Sequence, residues 1–197
     1  MKRILFYSSV NSLELFKTQK FYQIDISILK DLGYDVLLSN RICDSLLFWK
    51  YDILFSYFYR YSFFAALLAK CFGKKTDFTG GIDSLDSDYA SAFNYKIQAL
   101  FFKLCYWVAD SCIIVSQSDL KNIFKVSSLK KKLSYSEHVI NTKLFIADVP
   151  KEKIFTSIVW MGDEGNVVRK GVDKALQIFA ELKKIPEFVD YRFVIIG

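Results

Sequence analysis

The chain has 197 residues, 52% of them hydrophobic, 17% aromatic and 24% charged, a globular composition that excludes a disordered protein. A net charge of +6 and a pI of about 9.0 suit an anionic substrate or an anionic membrane surface. Nucleic acid is not expected, because there is no zinc-finger spacing, no RNP-like aromatic motif and no arginine-rich arm.

Four cysteines, Cys43, Cys71, Cys105 and Cys112, form no CxxC pair and no metal spacing with the single His138. They are expected to be buried free thiols of a cytoplasmic protein, with no metal and no cofactor. The start MKRILFYSSVNS has too short an apolar run for a signal peptide. The most apolar stretches, residues 46–72 and 97–115, are broken by Lys50, Asp52, Arg60, Lys103 and Asp110, so no transmembrane helix is expected.

Residues 3–8 (RILFYS) read as a first strand, followed by the polar loop SSVNS. Apolar spacing at Phe21, Ile24, Ile28, Leu29 and Leu32 predicts a helix between residues 13 and 32, with Gly33 as its stop. YDVLL (34–38) is a second strand, which makes a parallel β-α-β unit. DILFSYF (52–58) is a third strand and residues 61–72 a helix ended by Gly73. KTDFT (75–79) is a fourth strand that runs into the loop GGIDSLDSD.

Residues 89–108 predict a long helix with Phe93, Ile97, Leu100, Phe101, Leu104 and Val108 on its core face. SCIIV (111–115) is a buried strand, followed by SQSD with helix-capping chemistry. Residues 133–139 form a last strand of this half. The polar segment NTKLFIADVPKEK carries the first proline and marks a boundary, giving domains at 1–150 and 151–197. Residues 154–161 open a second α/β unit. Its helix has Val172, Ala175, Leu176, Phe179 and Leu182 as core face, and residues 191–196 are its second strand. The alternation argues for parallel, Rossmann-like sheets.

Ligands of open α/β sheets bind at the C-terminal ends of the strands. That rule selects the loops 8–12, 80–88, 116–119 and 162–170, with Ser9, Asn11, Gly80, Gly81 and Ser116 as candidate contacts. No GxGxxG, GxxxxGK[ST] or GxSxG is present, which disfavours nicotinamide dinucleotide, P-loop and serine-hydrolase chemistry. In MGDEGNVVRKGVD, Arg169, Lys170 and the amides near Gly171 could stabilise a diphosphate leaving group without a metal. Asp83 could act as a base, or simply cap the following helix. His138 reads as a structural histidine. The run Lys130–Lys132 with Tyr61, Phe63 and Phe64 suggests an anionic membrane surface, against the commoner solvated lysine face.

Three stretches resemble the retaining nucleotide-sugar glycosyltransferases of the GT-B fold, glycosyltransferase family four. LKDLGYDVLL is similar to that family's L-x-x-x-G-H-x-V, and HVINTKLF to its G-V-D-x-x-x-F, with Asn141 where Asp is usual. IVWMGDEGNVVRKGVDKALQIFAELKKIPEFVDYRFVIIG is similar to V-G-x…K-G-x-x-x-L-I-x-A-x-x-x-L…L-x-I-x-G.

The resemblance implies two Rossmann-like domains, acceptor-side at 1–150 and donor-binding from 151. It also implies a nucleotide diphosphate sugar as donor, a glycan or lipid-linked acceptor, transfer with retention and a role in surface polysaccharide synthesis on the inner face of the membrane. Lys170 would contact the donor diphosphate, and Gly162 would follow the first donor-domain strand. The chain departs from the pattern at Asp163, where arginine is usual, at SSVNS, where a glycine pair is common, and at Gly80, where a histidine is common. The family's E-x-x-x-x-x-x-x-E motif would lie beyond Gly197, so a fragment, inactive alone and prone to associate, is expected. The alternatives are a non-catalytic binding module that keeps the acceptor side, or another α/β nucleotide-binding protein such as an epimerase.

Overall fold

A computed structural model describes residues 1–87, 90–140, 142, 150–159 and 164–197, without the side chains of Asp83, Asn166 and Arg169. The chain divides into two compact units, Met1–Ile140 and Asn141–Gly197.

The first unit is a six-stranded, wholly parallel sheet in the order β2-β1-β3-β4-β5-β6. The strands are β1 (Arg3–Ser8), β2 (Asp35–Ser39), β3 (Ile53–Tyr57), β4 (Lys75–Thr79), β5 (Ser111–Ile114) and β6 (Leu133–Tyr135). β1 pairs with β2 on one side and β3 on the other, Phe6 lying opposite both Leu38 and Phe55. The order therefore reverses at β1/β3, and parallel strands joined by crossovers must then carry helices on both faces.

Helices α1 (Leu15–Thr18) and α2 (Lys20–Asp31) cover one face, where Phe6 packs on Phe16, Tyr22, Phe55 and Tyr57 at ring separations of 5.5–6.0 Å. Each aromatic pair of this kind adds about 0.5–1.5 kcal/mol beyond area burial. Helices α3 (Ser62–Cys71), α4 (Ala92–Val108) and α5 (Gln117–Val126) belong to the other face, where Leu54, Phe78, Phe102, Cys105 and Cys112 are buried.

Several local expectations are corrected. The first helix is two helices, because Gln19 takes an extended conformation between them. Its buried face is centred on Tyr22, with Ile26 and Leu29 packed beside it, while Ile28 and Leu32 are exposed. α4 buries Gln98, Phe102, Cys105, Tyr106 and Val108 and leaves Phe93 and Leu100 outside. α4 is apolar nearly all round, so its packing partners choose the buried side. β6 stops at Tyr135, beside the end of its partner β5. Cys105 and Cys112 are buried free thiols, but Cys43 and Cys71 are exposed. Burial pushes the Cys112 thiol up to about 12.

The second unit pairs β7 (Ile154–Ile158) with β8 (Arg192–Ile196) in parallel. Between them lie α6 (Glu164–Arg169) and α7 (Val172–Leu182). The expected loop 162–170 is thus helical from Glu164 to Arg169. Phe179 of α7 packs on Phe155 and Phe193, at 6.0 and 5.5 Å. On the alternate side of the strands Ile158 is 79% exposed, and Val194 and Ile196 are also exposed. A two-stranded sheet with one bare apolar face is expected to self-associate. Light scattering at micromolar concentration should give a mass above the 22.9 kDa monomer, and Ile158→Lys should lower it. A clean monomer would contradict this.

Candidate functional site

The loops after β1, β3 and β4 meet where the strand order reverses. They enclose a crevice of about 380 Å³, lined among others by Ser9, Phe58, Arg60, Tyr61, Gly81 and Gln98. That volume lies in the ~300–1,000 Å³ range of small-molecule sites.

Its floor depends on two unusual backbone conformations. Phe58, directly after β3, has φ 68°, and Gly80, directly after β4, has φ 110°. The Phe58 amide donates to the Thr79 carbonyl at 2.8 Å, so the two turns are tied together. A β-carbon on Gly80 would lie 3.1 Å from Phe58 Cδ1 and 3.2 Å from the Phe58 amide nitrogen. Glycine is required there on both conformational and steric grounds.

Below the crevice, Tyr59 is buried and its hydroxyl donates to the Ile113 carbonyl at 2.8 Å. Burial, foremost, pushes this phenol well above its ordinary pKa, and Cys112, Cys105 and Asp119 add to the shift. Gln98 Nε2 on α4 donates to the Tyr59 carbonyl at 2.7 Å, which fixes the amide at the crevice wall. The loop after β4 is held by Asp119, whose carboxylate accepts from the Ile82 amide at 3.1 Å. Asp119 sits in the first turn of α5, whose N-cap is Ser116.

Of the residues expected from the sequence, Ser9 and Gly81 line this crevice, and Gly80 forms its base next to Phe58. Asp83 lies in the adjoining 3₁₀ turn, Asp83–Leu85. Ser116 accepts from the Asp119 amide at 3.3 Å and caps α5, and Asn11 is an exposed loop residue. Neither lines the crevice. In the second unit Lys170 is exposed, between α6 and Gly171, which caps α7 with φ 66°. Gly162 lies outside the described residues, as does the side chain of Arg169.

Sequence reasoning missed Arg60, Gln98 and a second, smaller cavity of about 220 Å³ lined by Asp25, Phe55, Thr79, Ile113, Ser136 and His138 among others. His138, read as structural, is exposed at its rim with its ring 6.1 Å from Phe21. Asp25 accepts a short hydrogen bond from the Tyr57 hydroxyl. The available signal was an aspartate four residues after Phe21, set between Ile24 and Ile26. Burial raises the Asp25 carboxyl above its ordinary value, partly offset by Tyr57 and His138.

A raised carboxylate pKa means that the folded chain holds the proton more tightly. Stability from this group is therefore full below the unfolded value and lost as pH rises through the folded one. Asp25→Asn should accordingly be more stable than wild type at neutral pH, with the gap closing below about pH 4. Melting temperatures across pH test this, and a gap independent of pH would refute it.

Among the described residues no group of three or more His, Cys, Asp or Glu side chains could hold a metal ion. Nor is any of their helices long and apolar enough to cross a membrane.

No protein-family model and no curated protein matches the sequence. Among solved structures, the chain is similar to Anabaena Alr3699/HepE in complex with UDP and glucose, at 9% identity and TM-score 0.49, covering 89% of this chain and 51% of that one. The same protein in complex with UDP-glucose gives 9% identity and TM-score 0.48, covering 89% and 50%. Acinetobacter baumannii MurG gives 10% identity and TM-score 0.42, covering 90% and 58%. The chain spans about half the length of the solved HepE chains it matches.

Proposed function

We propose that this chain carries the acceptor-side domain, and the opening of the donor-side domain, of a retaining GT-B glycosyltransferase of family four. The donor is a nucleotide diphosphate sugar, and the acceptor a glycan or lipid-linked sugar of a surface polysaccharide. The observation that carries this reading is the division of labour along the chain. A crevice lined by both aromatic and polar side chains opens at the strand-order reversal of the first unit. The stretch KGVDKAL from Lys170 occupies the loop and helix of a separate parallel β-α-β unit.

The chemistry expected is stabilisation of the departing diphosphate by Lys170, with Arg169 beside it and Gly162 allowing close backbone approach. Asp83 stands in the acceptor loop as the candidate base. The test is calorimetry with UDP-, GDP- and ADP-sugars. Saturable binding of at least one is expected. Acceptor binding without any nucleotide binding would favour a non-catalytic module.

Membrane contact is favoured by one surface. The outward stripe of α4 reads Phe93, Lys96, Leu100, Lys103, Trp107, with Phe93 72%, Leu100 56% and Trp107 70% exposed. The helix contains no acidic residue. Lys132 Nζ donates to the carbonyls of Tyr106, Trp107 and Ala109, which sets the exposed Lys130 and Lys131 beside the end of this stripe. Aromatic and aliphatic groups interleaved with lysines suit an anionic lipid surface on the cytoplasmic side. Lys96→Ala/Lys103→Ala should weaken binding to phosphatidylglycerol vesicles ~30-fold, at about 1 kcal/mol per lysine. Co-sedimentation with no preference over phosphatidylcholine would remove the reading.

A further inference from the structure

The crevice holds an unanswered charge. Arg60 lies three residues after β3, just past the strained Phe58-Tyr59 turn, and its Nε is buried without a hydrogen-bond partner. Its guanidinium carbon stands 5.4 Å from the centre of the Tyr61 ring. Among the described residues lining the crevice, Arg60 is the charged one and none is acidic.

Arg60 is only part-buried, but its Nε is a charged donor shielded from water and left unmatched, which is unfavourable. The planar guanidinium fork is matched by a carboxylate or phosphate, which accepts two parallel hydrogen bonds. The surroundings add the requirements of a sugar. Phe58 and Tyr61 offer apolar walls, while Ser9, Ser84 and the fixed amide of Gln98 offer partners for hydroxyl groups.

We infer that the acceptor is an anionic sugar, carboxylated or phosphorylated, whose oxyanion is held by Arg60. This rests on the reading of the crevice as the acceptor site. The strain at Phe58 then has a purpose. A φ of 68° at a bulky residue turns the chain after β3 so that the next residues, Tyr59 and Arg60, face the core and the crevice respectively.

The test follows the Arg60 Nε–Hε signal in nitrogen-15 spectra of the full chain, assigned by its loss in Arg60→Lys. Glucuronate, glucose 6-phosphate, glucose and inorganic phosphate are titrated separately. A saturable shift with glucuronate or glucose 6-phosphate, absent with glucose at equal concentration, is expected. Whichever of the two acts more strongly distinguishes carboxylate from phosphate.

Arg60→Gln should weaken that sugar's binding tenfold or more while leaving the melting temperature near wild type. Arg60→Lys should recover part of it. An equal response to glucose, an equal response to inorganic phosphate alone, or no response to either charged sugar would overturn the inference. No donor is used, so the outcome is separable from the glycosyltransferase reading. Anionic-sugar binding without nucleotide binding would keep the Arg60 site and sink that reading, and nucleotide binding without an Arg60 response would do the reverse.

Discussion

Gly80→Ala is expected to destabilise the first unit by about 2–6 kcal/mol and to abolish ligand binding in the crevice. Two costs add. A residue with a β-carbon at φ 110° leaves the allowed region, at roughly 1–3 kcal/mol. The new methyl would also lie 3.1 Å from Phe58 Cδ1, 3.2 Å from the Phe58 amide nitrogen and 3.3 Å from Tyr57 Cδ1. The ring of Phe58 could swing away, but its backbone is tied to Thr79. Overpacking of that kind costs about 1–3 kcal/mol more. In a chain of this size the melting temperature should fall by about 4–24 °C. Gly33→Ala provides the control, because its positive φ is similar but nothing lies within 4 Å of the added carbon. Equal losses at both positions would show that conformation alone is responsible, and an unchanged Gly80→Ala would contradict the packing described.

Lys170→Ala carries the second large effect. If the diphosphate lies over the start of α7, removing the ammonium deletes a charge that opposes the developing negative charge of the leaving group. Losses of about 10²–10³ in turnover accompany removal of one such group. Ground-state binding should fall by about 10- to 10²-fold, since one charged hydrogen bond is worth about 1.5–3 kcal/mol. Nucleotide release, measured on the chain joined to a complete donor domain, and calorimetry give the two quantities separately. Lys174→Ala, one turn further along α7 and exposed, should leave both near wild type. Undiminished turnover in Lys170→Ala would remove this residue from the donor site.

The strands were legible because a parallel sheet buried on both faces demands short apolar runs. RILFYS, ILFSY, KTDFT and SCII satisfy that demand within a residue or two. Helix existence was legible as well, from periodicity and from stops such as Gly33 and Gly73, both at positive φ. Helix orientation was not. On α4 the stripe Phe93, Ile97, Leu100, Phe101, Leu104 is as apolar as the face that is buried, and a weakly amphipathic helix does not declare its inner side. Sheet contact and the neighbouring α3 select Gln98, Phe102 and Cys105 instead.

The site divides along the same line. Ser9, Gly80 and Gly81 were accessible from the rule that ligands meet parallel sheets at their C-terminal ends. Arg60, Gln98 and Asp25 were not, since each looks like an ordinary interruption of an apolar stretch.

By itself the sequence determined the alternation of strand and helix, the parallel pairing that such alternation requires, and the glycines where the chain turns. Those properties are local, set by side-chain period and backbone freedom over a few residues. Only the tertiary structure decided which apolar faces stay outside, as on α4, and which polar groups meet. Arg60 and Gln98 are 38 positions apart by number and share one crevice. A crossover that reverses strand order brings distant loops together, and no local pattern encodes that meeting.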